Sequence, residues 1–173
     1  MCHTVNDTIL SGDVFVAIGA NLPDRQGRQP LASVRAAVEA LRALPGLRLA
    51  GVSPWYETAP IPPGGPPYVN GVAWLVGEAS PAGLLGALQA IEARAGRVRS
   101  EPNAPRTLDL DIIAMGQTIR ATSDPILPHP RAHLRRFVLQ PLCDLRPDWV
   151  HPELARPAST LLAELPPQGI TRL

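Results

Sequence analysis

Lysine is absent from this chain: all 16 basic residues are arginine, against 15 acidic ones. A Walker A phosphate loop depends on its lysine and is therefore excluded, as is Schiff-base lysine chemistry. Cysteine is almost absent. Cys2 and Cys143 make no Cys-x-x-Cys pair and no zinc cluster, so no structural disulfide is expected and a reducing, cytoplasmic setting is. No run of 18 apolar residues exists to span a membrane, and Met1 to Asp13 lacks the apolar stretch of a secretory leader. Net charge is only +1 and aromatics are 4%, which disfavours a nucleic-acid partner held by bulk electrostatics or base stacking.

What is present is enough for one core. The 173 residues are 45% apolar and 18% charged, a globular balance, and no repeat is visible. The 21 prolines gather at 60–67, 102–105, 125–130 and 152–167, where they punctuate loops within one domain. Residues 1–12 read as a flexible N-terminal extension and 13–173 as a single domain.

Val14 to Ile18 reads as a buried strand, followed by turn chemistry at Gly19 to Asp24. Leu31, Val34, Val38 and Leu41 recur at helical spacing until Pro45-Gly46. Leu47 to Thr58 is expected to be extended with a break near Pro54, and Tyr68 to Val76 is a second long strand. Ser80 and Pro81 suit the start of a helix whose apolar face is Leu84, Leu85, Leu88 and Ile91. Arg97 to Arg106 reads as a loop, Thr107 to Met115 as a strand, Arg131 to Leu142 as a third helix and Ser159 to Leu165 as a last one. The order is βαββαβ, which predicts a ferredoxin-like α/β sandwich (α+β), with helices packed on an antiparallel sheet.

Asp109-Leu110-Asp111 is the sharpest local feature. In a strand, positions i and i+2 share a face, so the two carboxylates lie side by side while Leu108 and Leu110 turn to the core. Either both are solvated on an exposed face, or a hard cation such as Mg²⁺ neutralises them. Arg97, Arg99 and Arg106 lie upstream; Arg131, Arg135 and Arg136 lie downstream beside His129. Each arginine alone reads as a surface charge. Gathered around one acidic pair, they suit phosphoryl transfer, in which metal and guanidinium groups share the anionic load. His129, fixed between Pro128 and Pro130, is either an ordinary loop histidine or a donor to phosphate, with proton transfer a further option. Tyr68 and Asn70 share a strand face. With Phe137 they are either core and edge residues or the stacking and hydrogen-bonding groups of a flat heterocycle site.

Four segments resemble the 6-hydroxymethyl-7,8-dihydropterin pyrophosphokinase family: Ala17-Ile18-Gly19-Ala20-Asn21-Leu22; Val52 to Thr58 with Tyr68-Val69-Asn70; Pro105-Arg106-Thr107-Leu108-Asp109-Leu110-Asp111-Ile112; and Pro128-His129-Pro130-Arg131 leading into Arg135-Arg136-Phe137-Val138-Leu139. The match runs in order over roughly residues 14 to 150, and the third segment is the most specific. The resemblance implies transfer of the diphosphate of ATP to the hydroxymethyl group of the pterin, with AMP leaving, in folate biosynthesis. It implies ATP as co-substrate and two Mg²⁺ ions on Asp109 and Asp111. It places Thr58, Ile61, Tyr68, Asn70 and Phe137 around the pterin. Leu85, Gln89, Glu92, Arg99 and Ile112 fall on the nucleotide side, and Arg97, Arg106, His129 and Arg135 around the phosphates. No strong general base is evident, Asp111 being the nearest. The partners implied are the two small molecules; neither nucleic acid nor membrane is implied, and a monomer suffices. The loop Arg97 to Pro105 departs from the family pattern at Ser100 or Glu101, near Asn103 and at Ala104, which predicts weaker lid contacts. Two competing readings remain: a metal-dependent transferase acting on another small alcohol, and a non-catalytic pterin- or nucleotide-binding module of the same fold. Tyr68 and Asn70 speak against the first; the aspartates, Arg106 and His129 speak against the second.

Overall fold

A computed structural model describes residues 7–98 and 104–173. Its spine is a pair of long antiparallel strands, β1 (Leu10–Ala20) and β4 (Tyr68–Ala79), in register from Leu10↔Ala79 to Ala20↔Val69. β1 carries apolar residues on both faces because both are covered. Val14, Val16, Ile18 and Ala20 enter one core, and Phe15 and Ala17 the other.

The first core lies under α1 (Pro30–Arg42) and α2 (Pro81–Arg94). Val34, Val38 and Leu41 of α1 and Leu84, Leu88 and Ile91 of α2 are buried there, as their spacing predicts; Leu31 and Leu85 pack at its margin. Ser80 caps α2 by accepting the Gly83 N–H at 3.2 Å. The extended stretch after α1 divides into β2 (Leu47–Val52) and β3 (Tyr56–Thr58), both paired with β4. The strand Asp109–Met115 (β5) completes the βαββαβ core on the other side of β1. The resulting order, β5-β1-β4 and then β2 or β3, is that of the predicted ferredoxin-like sandwich.

Two sequence expectations are corrected. Residues 10–12 are not a loose extension. They are β1 residues paired with Gly77 to Ala79, and just upstream Asp7 accepts the Ala82 N–H at 3.0 Å; residues 1–6 lie outside the described residues. The helix expected over Arg131 to Leu142 is divided. A 3-10 turn (Ala132–Leu134) precedes α3 (Arg136–Leu145), because Arg135 between them is extended (φ −122°, ψ 110°). The Pro-rich tail contributes structure: after α4 (Ala158–Glu164) a short strand, β6 (Ile170–Arg172), pairs with β3 and covers that edge of the sheet.

α3 and α4 cover the second face around Phe15, Ile113, Leu139, Leu142 and Trp149. Cys143 is half-buried there as a free thiol whose pKa burial pushes up to about 11, which leaves it unreactive. β5 carries one irregularity. Phe15 pairs with Ala114 and Val16 with Ile112, so Ile113 is an extra residue in the β5 ladder. Its carbonyl is free to accept the His129 N–H at 2.8 Å.

Candidate active site

The strand registers draw a polar row across the second face of the sheet. Thr58 on β3 sits opposite Tyr68 on β4; Asn70 on β4 sits opposite Gly19 on β1; Gly19 sits opposite Asp109 on β5; and Ala17 sits opposite Asp111. Gly19 thus separates an amide side chain from a carboxylate, with neighbouring strands about 4.8 Å apart. Its lack of a side chain keeps the floor open. A Cβ added there would stand 2.9 Å from Asn70 Oδ1. Asn70 donates through Nδ2 to Thr58 Oγ1 at 2.7 Å, and both residues are buried. Its Oδ1 remains over the Gly19 floor, so the pair presents a fixed acceptor there. Tyr68 is half-buried beside it, with burial raising its phenol pKa, and its hydroxyl lies 3.5 Å from the Ala104 carbonyl.

At the other end of the row the charges converge. Arg97 Nη1 donates to Asp109 Oδ1 at 2.6 Å, and Arg106 Nη1 donates to Asp109 Oδ2. Arg97 also donates to Glu92 Oε1, which accepts the Leu110 N–H at 2.7 Å. Glu92 therefore reaches the site from α2 as a buried bracket, satisfying an outward N–H of the edge strand and holding Arg97. Burial raises its pKa despite that partner.

Asp111 is different. No donor among the described residues bonds it, and His129 Nε2 stands 3.8 Å from its Oδ2. The carboxylate is reached by solvent from one side but enclosed by protein on the others. Desolvation first, and the Asp109 charge second, raise its pKa. His129 Nδ1 accepts the Arg131 N–H at 3.1 Å, which places the proton of the neutral ring on Nε2, facing Asp111. Burial lowers the His129 pKa, outweighing the pull of Asp111. Arg135 completes this corner, its guanidinium carbon 5.6 Å from the centre of the Phe137 ring. A hollow of about 10 Å³, the size of one water, lies between Asp111, His129 and Arg135. A larger, open hollow of about 450 Å³ between α1 and the β2–β3 connection contains none of the predicted site residues, so size does not mark this site.

Among the described residues no group of three or more His, Cys, Asp or Glu side chains forms a metal cluster. The donor set is two carboxylates, one of them without a bonded donor. That suits a hard cation completing its shell with phosphate and water, and fits Mg²⁺ shared with a nucleotide better than a closed protein cage.

Of the residues singled out in the sequence, the structure gathers Thr58, Tyr68, Asn70, Arg97, Arg106, Asp109, Asp111, His129 and Arg135 along this row and its charged end. Phe137 is half-buried at the margin, under Arg135. Ile61 is 65% exposed in the 60–67 loop and is not drawn in. Gln89 is exposed on α2, and Leu85 rests against the first core. Ile112 is buried in that same core, on the sheet face opposite the aspartates, so its side chain does not line the row. Arg99 lies outside the described residues. Sequence reasoning missed Asn21. It is 2% exposed, accepts the Arg106 N–H on Oδ1 at 2.8 Å and donates to Pro66 O at 3.2 Å, tying Arg106 to the 60–67 loop. Its signals were its position directly after the β1 run, which reads equally well as turn chemistry, and its place in the first family-like segment, where it was given no role.

A family model described as 7,8-dihydro-6-hydroxymethylpterin-pyrophosphokinase matches residues 15–147, the stretch that holds every one of these side chains. The chain belongs to this family. It is 44% identical over 161 residues to a Pseudomonas aeruginosa protein named 2-amino-4-hydroxy-6-hydroxymethyldihydropteridine pyrophosphokinase, covering 92% of this chain and 96% of that one. A Haemophilus influenzae protein of the same name is 37% identical over 152 residues, covering 87% of this chain and 89% of that one. Among solved structures, wild-type Plasmodium falciparum HPPK-DHPS with STZ-DHP superimposes with a TM-score of 0.70 at 11% identity, over 90% of this chain and 43% of that one. At that identity the likeness concerns the fold, and it agrees with the strand order described above.

Gly19→Ala is the most economical probe of the row. The added methyl meets Asn70 Oδ1 and pushes the amide aside, which breaks the Nδ2 donation to Thr58 Oγ1. We expect binding of the heterocyclic substrate to weaken about tenfold or more, the value of one well-made buried hydrogen bond. Nucleotide binding is expected to change little. Calorimetric titration of each substrate separately checks this.

Proposed function

We propose that this chain transfers the diphosphate of ATP to the hydroxymethyl group of 6-hydroxymethyl-7,8-dihydropterin, giving AMP and the pterin diphosphate, as a step of folate biosynthesis. One observation carries the reading: a polar floor (Thr58, Asn70, Tyr68) runs, across Gly19 alone, into an acidic pair whose Asp109 is held by two arginines, in a chain of the pyrophosphokinase family.

Asn70 and Thr58 read the edge of the pterin, and Tyr68 and Phe137 flank its ring. Arg97, Arg106, Arg135 and His129 take the phosphates, with the His129 Nε2–H as a neutral donor. Asp109 and Asp111 would hold Mg²⁺, which would supply charge neutralisation at the phosphates. A primary alcohol is a weak nucleophile, so alignment along the sheet face and charge neutralisation supply most of the rate. When nucleotide arrives, Arg97 and Arg106 have phosphate oxygens to move to, which frees Asp109 as a ligand. We keep Leu85, Gln89 and Ile112 on the nucleotide side, Ile112 through its backbone, Ile61 on the pterin side and Arg99, outside the described residues, on the nucleotide side, because the family resemblance assigns them there. No helix among the described residues is long and apolar enough to cross a membrane, and we assign the chain to the cytoplasm, working as a monomer on small molecules.

Product analysis by phosphorus NMR tests the reading. AMP and pterin diphosphate in equal amounts are expected. ADP with a pterin monophosphate, or turnover of an unrelated alcohol in preference to the pterin, would contradict it.

A further inference from the structure

Two consecutive arginines at the start of α3 point in opposite directions. Arg135 faces the acidic pair, whose charges act on it. Arg136 turns away and donates through Nη2 to the carbonyls of Leu162 (3.3 Å) and Leu165 (3.2 Å), at the end of α4. The Leu162 carbonyl lies in the last turn of α4, where it also accepts the Leu165 N–H at 3.2 Å, and the Leu165 carbonyl lies at the helix C-cap. A second link lies two residues before Arg135. His133 in the 3-10 turn meets the edge of His151, with ring centres 5.3 Å apart and planes at 84°. His151 is itself 2% exposed, packed against Trp149, with its Nδ1 accepting the N–H groups of Glu153 and Leu154.

Both anchors come from beyond residue 147, where the family match ends. The turn carries its own backbone bonds, with the Ala132, Leu134 and Arg135 N–H groups donating to the His129, Arg131 and Ala132 carbonyls, but Arg135 itself is extended and its side chain makes no capping bond. On either side of Arg135, His133 and Arg136 are each anchored in the tail.

We propose that the segment 148–165 is a positioning element for the phosphate-binding corner, acting through Arg136 and His133 to aim Arg135. Neither Arg136 nor His133 touches a reactant; both are positioning residues. The inference rests on the reading of Arg135 and His129 as phosphate ligands.

The test uses the full chain with Arg136→Met, which keeps the apolar stem and removes the donors, Arg136→Lys, which restores a donor, and His133→Ala as an independent break. Calorimetry of a non-hydrolysable ATP analogue is read beside KM for each substrate, kcat and the thermal midpoint. Arg136→Met is expected to weaken the analogue and raise KM for ATP about tenfold, the scale of one charge-assisted hydrogen bond. The pterin KM should be unmoved and Arg136→Lys should recover most of the loss; His133→Ala should show the same selectivity. Unchanged nucleotide binding in Arg136→Met and His133→Ala would overturn the proposal. So would equal losses for both substrates that track the thermal midpoint. Failure of wild type to make AMP would instead overturn the functional reading, and the analogue titrations would still compare the variants.

Discussion

Asp111→Asn is expected to abolish diphosphate transfer and, in the same molecule, to raise the thermal midpoint. The activity arm follows from charge: an amide keeps the shape but cannot neutralise a cation–phosphate cluster. Losing such a preorganised group costs on the order of a thousandfold in rate. The stability arm follows from the raised Asp111 pKa. Its carboxylate is partly desolvated and beside Asp109, so the ionised form is less favourable in the folded chain than in the unfolded one. An acid whose folded pKa is raised binds more protons folded than unfolded, so its ionisation opposes folding increasingly as pH rises through the folded pKa. The midpoint difference between Asp111→Asn and wild type should therefore be largest above neutrality. It should shrink as the pH falls through the raised carboxyl pKa toward the ordinary aspartate range. A variant less stable than wild type at pH 8, measured by calorimetry, would show that Asp111 is a structural residue.

Glu92→Ala should act in the opposite sense. Glu92 is 3% exposed and accepts both the Leu110 N–H and Arg97. Removing it strands a buried edge-strand N–H and one side of a guanidinium, a loss of roughly 3–5 kcal/mol for a broken buried pair. Glu92→Gln keeps an acceptor for Leu110 but loses the ion pair, and should fall between the two. With its bracket gone, Arg97 is free to settle fully on Asp109. The glutamine variant should then show a raised KM for ATP as well as a lowered urea midpoint. An alanine variant as stable as wild type would mean that the bracket contributes nothing net.

These two residues show how much of the site was legible from the sequence. Asp109 and Asp111 share a face because strand side chains alternate, and that period could be read directly. The same alternation puts Ile112 on the opposite face, and it is indeed in the first core. The helical faces of α1 and α2 were equally readable, because each element carries its own period. What could not be read depends on contacts distant in sequence. Nothing in the spacing shows that both oxygens of Asp109 are held by arginines arriving from two sides of one loop. Nor does it show that the extra residue at Ile113 offers its carbonyl to His129. Asn21 was hidden because a buried asparagine and a turn asparagine look alike in sequence. β6 was hidden because a three-residue strand after two prolines has no period to detect. The division of the third helix at Arg135 matters most for function: the apolar pattern runs on without a break, and the extended residue lies between side chains that meet the distant tail.

The most direct test of the account is AMP release from ATP and 6-hydroxymethyl-7,8-dihydropterin, with Mg²⁺ and with a chelator, by wild type and Asp111→Asn side by side. The account predicts pterin-dependent AMP from wild type with Mg²⁺ only, and none from the folded variant. AMP release that persists in the chelator, or in Asp111→Asn at the wild-type rate, would contradict the claim that this carboxylate pair is the reaction centre.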